Sequence, residues 1–187
     1  MPRKKEYKEE DVIDKAMHLF WLNGYENTSM QMLEKEMGIN KFSIYSSFGN
    51  KSGVFVESLK LYRKKLNKII SQLEASTDGV LGIKQYFYNT LDFSKGKDFC
   101  KGCLVTNTAN EVDNNTDPKI LSQIEDFSVY IRQLFLDNLS QDASKGKETI
   151  EEQADYLLIA MIALSSASKI CNQAQLNNYI ENTFNRL

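Results

Sequence analysis

Residues 28–51 read TSMQMLEKEMGINKFSIYSSFGNK, a stretch that admits few folds. Met30, Leu33 and Met37 recur at helical spacing, so a short helix running to about Met37 buries one face. Thr28 or Ser29 can cap its start, since either hydroxyl can accept from a free backbone N–H. Gly38 ends it, as the residue tolerated where the chain turns through positive φ. Ile39 plugs the turn, and Asn40 caps a second short helix from Lys41 to about Ser47. Two helices joined by a short glycine turn form a helix-turn-helix, the arrangement that presents its second helix to the DNA major groove.

The rest of the chain also reads as helical. Only two prolines, Pro2 and Pro118, occur in 187 residues, so helices can run long. The Val/Ile/Thr alternation that marks strands is scarce. The periodicity predicts a first helix over about 9–23 and a fourth over about 52–74. Further helices follow over about 80–93, 103–112, 118–140, 148–171 and 173–186. Pro118 fits the first position of the seventh. Net charge is only −2, yet residues 1–65 hold 12 Lys/Arg against 9 Asp/Glu, and the remainder 11 against 16. A basic head on an acidic body is expected where only one part meets phosphate. No apolar run reaches the about 20 residues that span a bilayer. The charged N-terminus lacks the apolar core of a signal peptide, which predicts a cytoplasmic location and reduced cysteines.

Helix, glycine turn, short helix through Tyr45, then Phe48-Gly49-Asn50-Lys51 and a long helix resembles the N-terminal domain of the TetR family of bacterial transcriptional regulators. Upstream, Ile13, Ala16, Leu19 and Phe20, followed by Asn23-Gly24-Tyr25-Glu26-Asn27-Thr28, are similar to the family's first helix and its closing Gly-Tyr-x-x-Thr signature. The likeness covers about residues 9–60. Two positions depart from the pattern. Phe42 stands where a small residue is usual, and Ser47 where an aromatic is common. Both alter the surface offered to DNA, so no relative's operator can be borrowed.

The resemblance implies an all-α protein of about nine helices. Residues 1–51 would form the helix-turn-helix DNA-binding domain, and 52–187 a helical ligand-binding and dimerisation domain. It further implies a homodimeric repressor on a palindromic operator, released by a small-molecule effector. The Thr28 and Tyr45 hydroxyls and the Lys51 ammonium would hold phosphates, while Lys41, Phe42, Ser43 and Ser46 face the groove. Lys41 would donate to guanine or to phosphate. Phe42 would meet a thymine methyl or fold back onto the head. Arg3, Lys4 and Lys5 would add DNA contacts or form a solvated tail.

For the effector, the candidates are Phe87, Phe127, Tyr130, Ile131 and Met161, with Asn107 as a polar group that orients the ligand. The same aromatics also suit a core, and Asn107 also suits a helix surface. Such a lining would take a small, largely apolar molecule. Cys100 and Cys103 form a C-x-x-C pair, but a closed zinc site needs four ligands, and only Cys171 and His18 remain. No metal or cofactor is therefore expected, and a redox switch at Cys100/Cys103 stays an alternative to incidental thiols. With a single histidine, no nucleophile–base constellation assembles, so the chain does not read as an enzyme.

The eighth helix, ADYLLIAMIALSSASKI, is apolar nearly all round. The body can cover one side, and a partner subunit is the natural cover for the other. Tyr156, Ala160, Ala163, Leu164 and Ala167, with Tyr179 and Ile180 of the ninth helix, are the expected twofold interface. Two alternatives stand beside this reading: a DNA-binding protein without an effector, and a head that has lost DNA function.

Overall fold

The computed structural model describes residues 7–96, 100–185 and 187. Among these the chain forms α1 (Glu9–Asn23), α2 (Met30–Met37), α3 (Lys41–Phe48), α4 (Lys51–Glu74), α5 (Val80–Phe93), α6 (Leu104–Ala109), α7 (Pro118–Leu139), α8 (Lys147–Ala167) and α9 (Gln173–Phe184). The only β pairing among the described residues is an isolated bridge between Lys95 and Cys100. The basic tail Arg3-Lys4-Lys5 lies outside the described residues.

Local chemistry accounts for most of the boundaries. Glu9, Glu10 and Asp11 place negative charge in the first turn of α1, where it meets the positive end of the helix dipole. Pro118 opens α7, where its missing N–H costs nothing. α6 is shorter than predicted. Its end tightens into i→i+3 bonds from Asn110 N to Asn107 O, 3.2 Å, and from Glu111 N to Thr108 O, 2.8 Å. α8 likewise stops at Ala167, because Asn172 and Gln175 form a reciprocal capping box that starts α9.

The helices pack as two units. The first runs to Lys65 and adds Asn107–Gln123; the second is Leu66–Thr106 with Ile124–Leu187. The first thus extends past residue 51, because Val54, Phe55, Leu59 and Tyr62 of α4 are buried with it. Its core closes on Phe55, whose ring meets Phe20 edge-on at 4.7 Å and Tyr25 at 4.8 Å. In the second unit, Phe87 meets Phe184 edge-on at 5.0 Å and Tyr86 meets Phe135 at 5.9 Å.

Within the second unit, α7 clasps the end of α4. Asn138, buried, donates to Leu73 O at 3.3 Å and to Leu134 O at 2.9 Å. Gln141 donates to Ser76 O at 2.8 Å and accepts from Gly79 N at 2.9 Å. Tyr130 adds a bond from its hydroxyl to Glu74. Leu73 O also accepts from Ser76 N at 3.1 Å, so Asn138 adds a second donor to a carbonyl at the end of α4.

Candidate nucleic-acid interface

In the first unit, α2 and α3 are each fixed at their starts by a side chain. Ser29, rather than Thr28, caps α2 by accepting from Met32 N at 3.2 Å. Gly38 turns the chain in the left-handed region, φ 70° and ψ 25°, with its N–H on Glu34 O. Asn40 Oδ1 then accepts from Ser43 N at 2.8 Å, and Glu34 Oε1 accepts from Lys41 N at 2.9 Å. Two carboxyl or amide oxygens thus hold the first turn of α3 rigid. Rigidity matters because a helix that reads base edges must present them in one register.

Ile44 is fully buried and seats α3 in the core of the first unit, where α3 packs on α2. Lys41, Phe42, Tyr45 and Ser46 share the opposite, exposed face, and Ser43 is half-buried beside it. Phe42 is 81% exposed, so it does not fold back onto the head. Ser47 takes no part in that face, since its hydroxyl bonds Tyr7 at 2.9 Å and ties the chain before α1 to the end of α3.

Lys51, the first residue of α4, sits with its ammonium 4.3 Å from the Tyr25 ring centre and donates to Glu26 O at 3.2 Å. Tyr25 in turn shares a 2.9 Å hydroxyl bond with Ser52. The turn before α2 and the start of α4 therefore form one connected surface. Thr28 is a correction to the sequence reading. Its side chain is fully buried and its hydroxyl donates to Gly24 O at 2.6 Å. It shapes the turn from within, so its side chain is not offered to phosphate.

The effector candidates divide between the units: Asn107 falls in the first, and Phe87, Phe127, Tyr130, Ile131 and Met161 in the second. Phe87, Phe127 and Ile131 are buried in close-packed core, and the Tyr130 hydroxyl is engaged by Glu74. A cleft of ≈ 580 Å³ in the second unit is walled instead by Ile69, Gln72, Leu81, Gln85, Tyr86 and Asn89 among others. Its amides are linked, Gln85 to Asn89 at 2.8 Å and Asn89 to Gln72 at 3.1 Å. Periodicity gives no sign of this cleft, because its polar wall combines the end of α4 with the middle of α5. Burial of Tyr86 pushes its phenol far above the ordinary range.

The α8 surface separates into two faces. Leu157, Ala160 and Leu164 turn into the protomer's own core, as does Ile180 of α9. Three of the expected interface residues, Ala160, Leu164 and Ile180, are thus already covered within one chain. Tyr156, Ile159, Ile162 and Ala163 lie exposed on the opposite face, with Ala167 half-buried at its end and Tyr179 of α9 exposed. The Tyr179 hydroxyl donates to Ala160 O at 3.3 Å, fixing that ring beside α8. Cys100, Cys103 and Cys171 are all free and half-buried. Among the described residues no group of three or more His, Cys, Asp or Glu is placed to hold a metal, and no helix is long and apolar enough to cross a membrane.

Comparison with known proteins agrees with this architecture. Residues 12–57 match the family model of bacterial regulatory proteins, tetR family. The chain is 28% identical over 176 residues to the uncharacterised HTH-type transcriptional regulator YezE of Bacillus subtilis, covering 91% of this chain and 90% of that protein. It is 24% identical to the icaADBC biofilm operon negative regulator IcaR of Staphylococcus aureus, over 79% of this chain and 77% of that one. Among solved structures, a cysteine mutant of the TetR-family regulator CifR complexed with 26-bp double-strand operator DNA superposes with a TM-score of 0.87. That likeness carries 23% identity and covers 98% of each chain.

Proposed function

This chain belongs to the TetR family of bacterial transcriptional regulators, and from that premise we propose that it is a homodimeric repressor whose two heads bind a palindromic operator. The observation that carries the proposal is the recognition surface. A capped α3 sets Lys41, Phe42, Tyr45 and Ser46 on one exposed face, with Lys51 beside the adjoining turn. Lys51 and Tyr45 engage phosphates, which fixes register, while Lys41, Phe42, Ser43 and Ser46 meet base edges. Repression, rather than activation, is supported by likeness to IcaR, a negative regulator.

Dimerisation is supported by the exposed α8 face, since a helix stripe of Tyr156, Ile159, Ile162 and Ala163 left in water is unfavourable. A self-complementary contact of α8 and α9 with their twofold copies covers it. The effector is a small molecule taken up by the second unit, where Phe87, Phe127 and Ile131 pack as core and the open cleft lies against Ile69, Gln72, Leu81, Gln85, Tyr86 and Asn89. Such a molecule releases DNA only by its differential affinity for two states of the dimer. α4 carries the change, because one unbroken helix runs from Lys51 to Glu74.

A gel shift on the DNA flanking the protein's own gene, against a scrambled duplex of equal length, tests the proposal. A specific shift that weakens with salt is expected. Equal retention of both duplexes, or of neither, contradicts it.

A further inference from the structure

The turn between α1 and α2 is held by a residue far away in the sequence. Glu111, just past α6, accepts the backbone N–H of Glu26 on its carboxylate at 2.9 Å, across 85 residues. The same carboxylate lies over Gly24, at φ 83°, where an added Cβ would collide with it. The carbonyl of the same residue, in the next peptide group, accepts from Lys51 at 3.2 Å. Glu26 is therefore held through both of its backbone groups, by an anion on its N–H and a cation on its carbonyl. The two groups flank the Glu26 Cα, so fixing one narrows the backbone dihedrals open to the other. The turn so held also contains the bond from Thr28 to Gly24 O.

We propose that Glu111 is a positioning residue for DNA binding: it locks the Gly24–Thr28 turn and, through the backbone of Glu26, sets where Lys51 presents its charge. The inference rests on the DNA-binding reading above. The Glu111 N–H donates to Thr108 O, so a shift of the turn over 108–111 is handed to the Glu26 backbone that meets Lys51.

The sign of the effect separates this role from simple charge. If Glu111 acted only as a negative charge in a basic head, removing it would tighten DNA binding. If it acts as the latch, removing it weakens binding. Glu111→Ala and Glu111→Gln differ in this respect, since the glutamine amide oxygen can still accept from Glu26 N–H. The experiment takes the full chain and measures affinity for a duplex selected by the wild-type protein from a random library. Hydrogen exchange of the Glu26 amide and thermal unfolding are followed in parallel. For Glu111→Ala, fast exchange at Glu26 and about tenfold weaker binding are expected, the scale of one lost charge-assisted bond. Glu111→Gln should keep both properties near wild type. An alanine variant that binds as tightly as wild type, or more tightly, overturns the inference. So does weakening matched by a fall in melting temperature in both variants, which would mark a general loss of fold. A wild-type chain that selects no duplex instead overturns the reading of the head, while slow exchange at Glu26 in Glu111→Ala refutes the latch on its own.

Discussion

Ile159→Ala tests the dimer through the monomer's own geometry. Ile159 is 66% exposed in a single chain, so about two-thirds of its side chain is still available to be buried on association. Burying a whole isoleucine stabilises by roughly 1.5–3 kcal/mol, so the remaining two-thirds amount to about 1–2 kcal/mol per subunit. Twofold symmetry counts the loss twice, giving about 2–4 kcal/mol per dimer and a dissociation constant raised roughly 30- to 900-fold. Sedimentation velocity over a dilution series reads that constant directly. The same substitution should leave the melting temperature of the dilute monomer unchanged, because Ile159 contributes little to the protomer's core. Leu157→Ala is the control: it is fully buried within the chain and should cost the monomer about 2–5 kcal/mol. An unchanged dimer constant for Ile159→Ala places the interface on another surface.

Other expectations follow from the head and the second unit. Phe42→Ala should relax specificity by about 1–3 kcal/mol at one base pair, with the loss matched by replacing the contacted thymine with uracil in the wild-type complex. Lys51→Ala should weaken binding to all duplexes alike and flatten the slope of log affinity against log salt by about one. Asn138→Ala leaves Leu73 O without the side-chain donor it has now, and urea titration should show a loss of about 1–3 kcal/mol. Glu181 is bonded by Lys84 and by the Tyr88 hydroxyl, which together hold its carboxyl below the usual range. Its stabilising contribution is therefore fully present above the ordinary glutamate value of about 4.3 and is lost as pH falls through the depressed one. Melting curves between neutral and strongly acidic pH should show Lys84→Ala losing part of that acid sensitivity.

What the sequence made legible was local. Gly38, Asn40 and Pro118 mark helix ends through their own backbone preferences, and α2, α3 and α7 begin or end where those residues stand. Thr28 was misread for the opposite reason. A hydroxyl at a turn is available to phosphate in principle, but tertiary burial had already committed it to Gly24 O. Periodicity showed α8 to be apolar all round. It could not separate Ala160 and Leu164, which face the protomer's own core, from Ile159 and Ile162, which face outward. Contacts between distant segments were invisible. Nothing in the residues around Glu111 points to a peptide 85 positions earlier, nor does the end of α7 announce that Asn138 and Gln141 will clasp the end of α4. The first unit reaches past residue 51 because burial of Phe55 and Tyr62, not the motif's own end, decides where a packed unit stops.

The most direct measurement is sequencing of the duplexes that the wild-type protein retains from a random library at moderate salt. A twofold regulator enriches an inverted repeat, with half-site centres about one helical turn, ~34 Å, or somewhat more apart. Recovery of a single asymmetric site, or of no enriched sequence at all, would contradict a twofold regulator that reads DNA through α3.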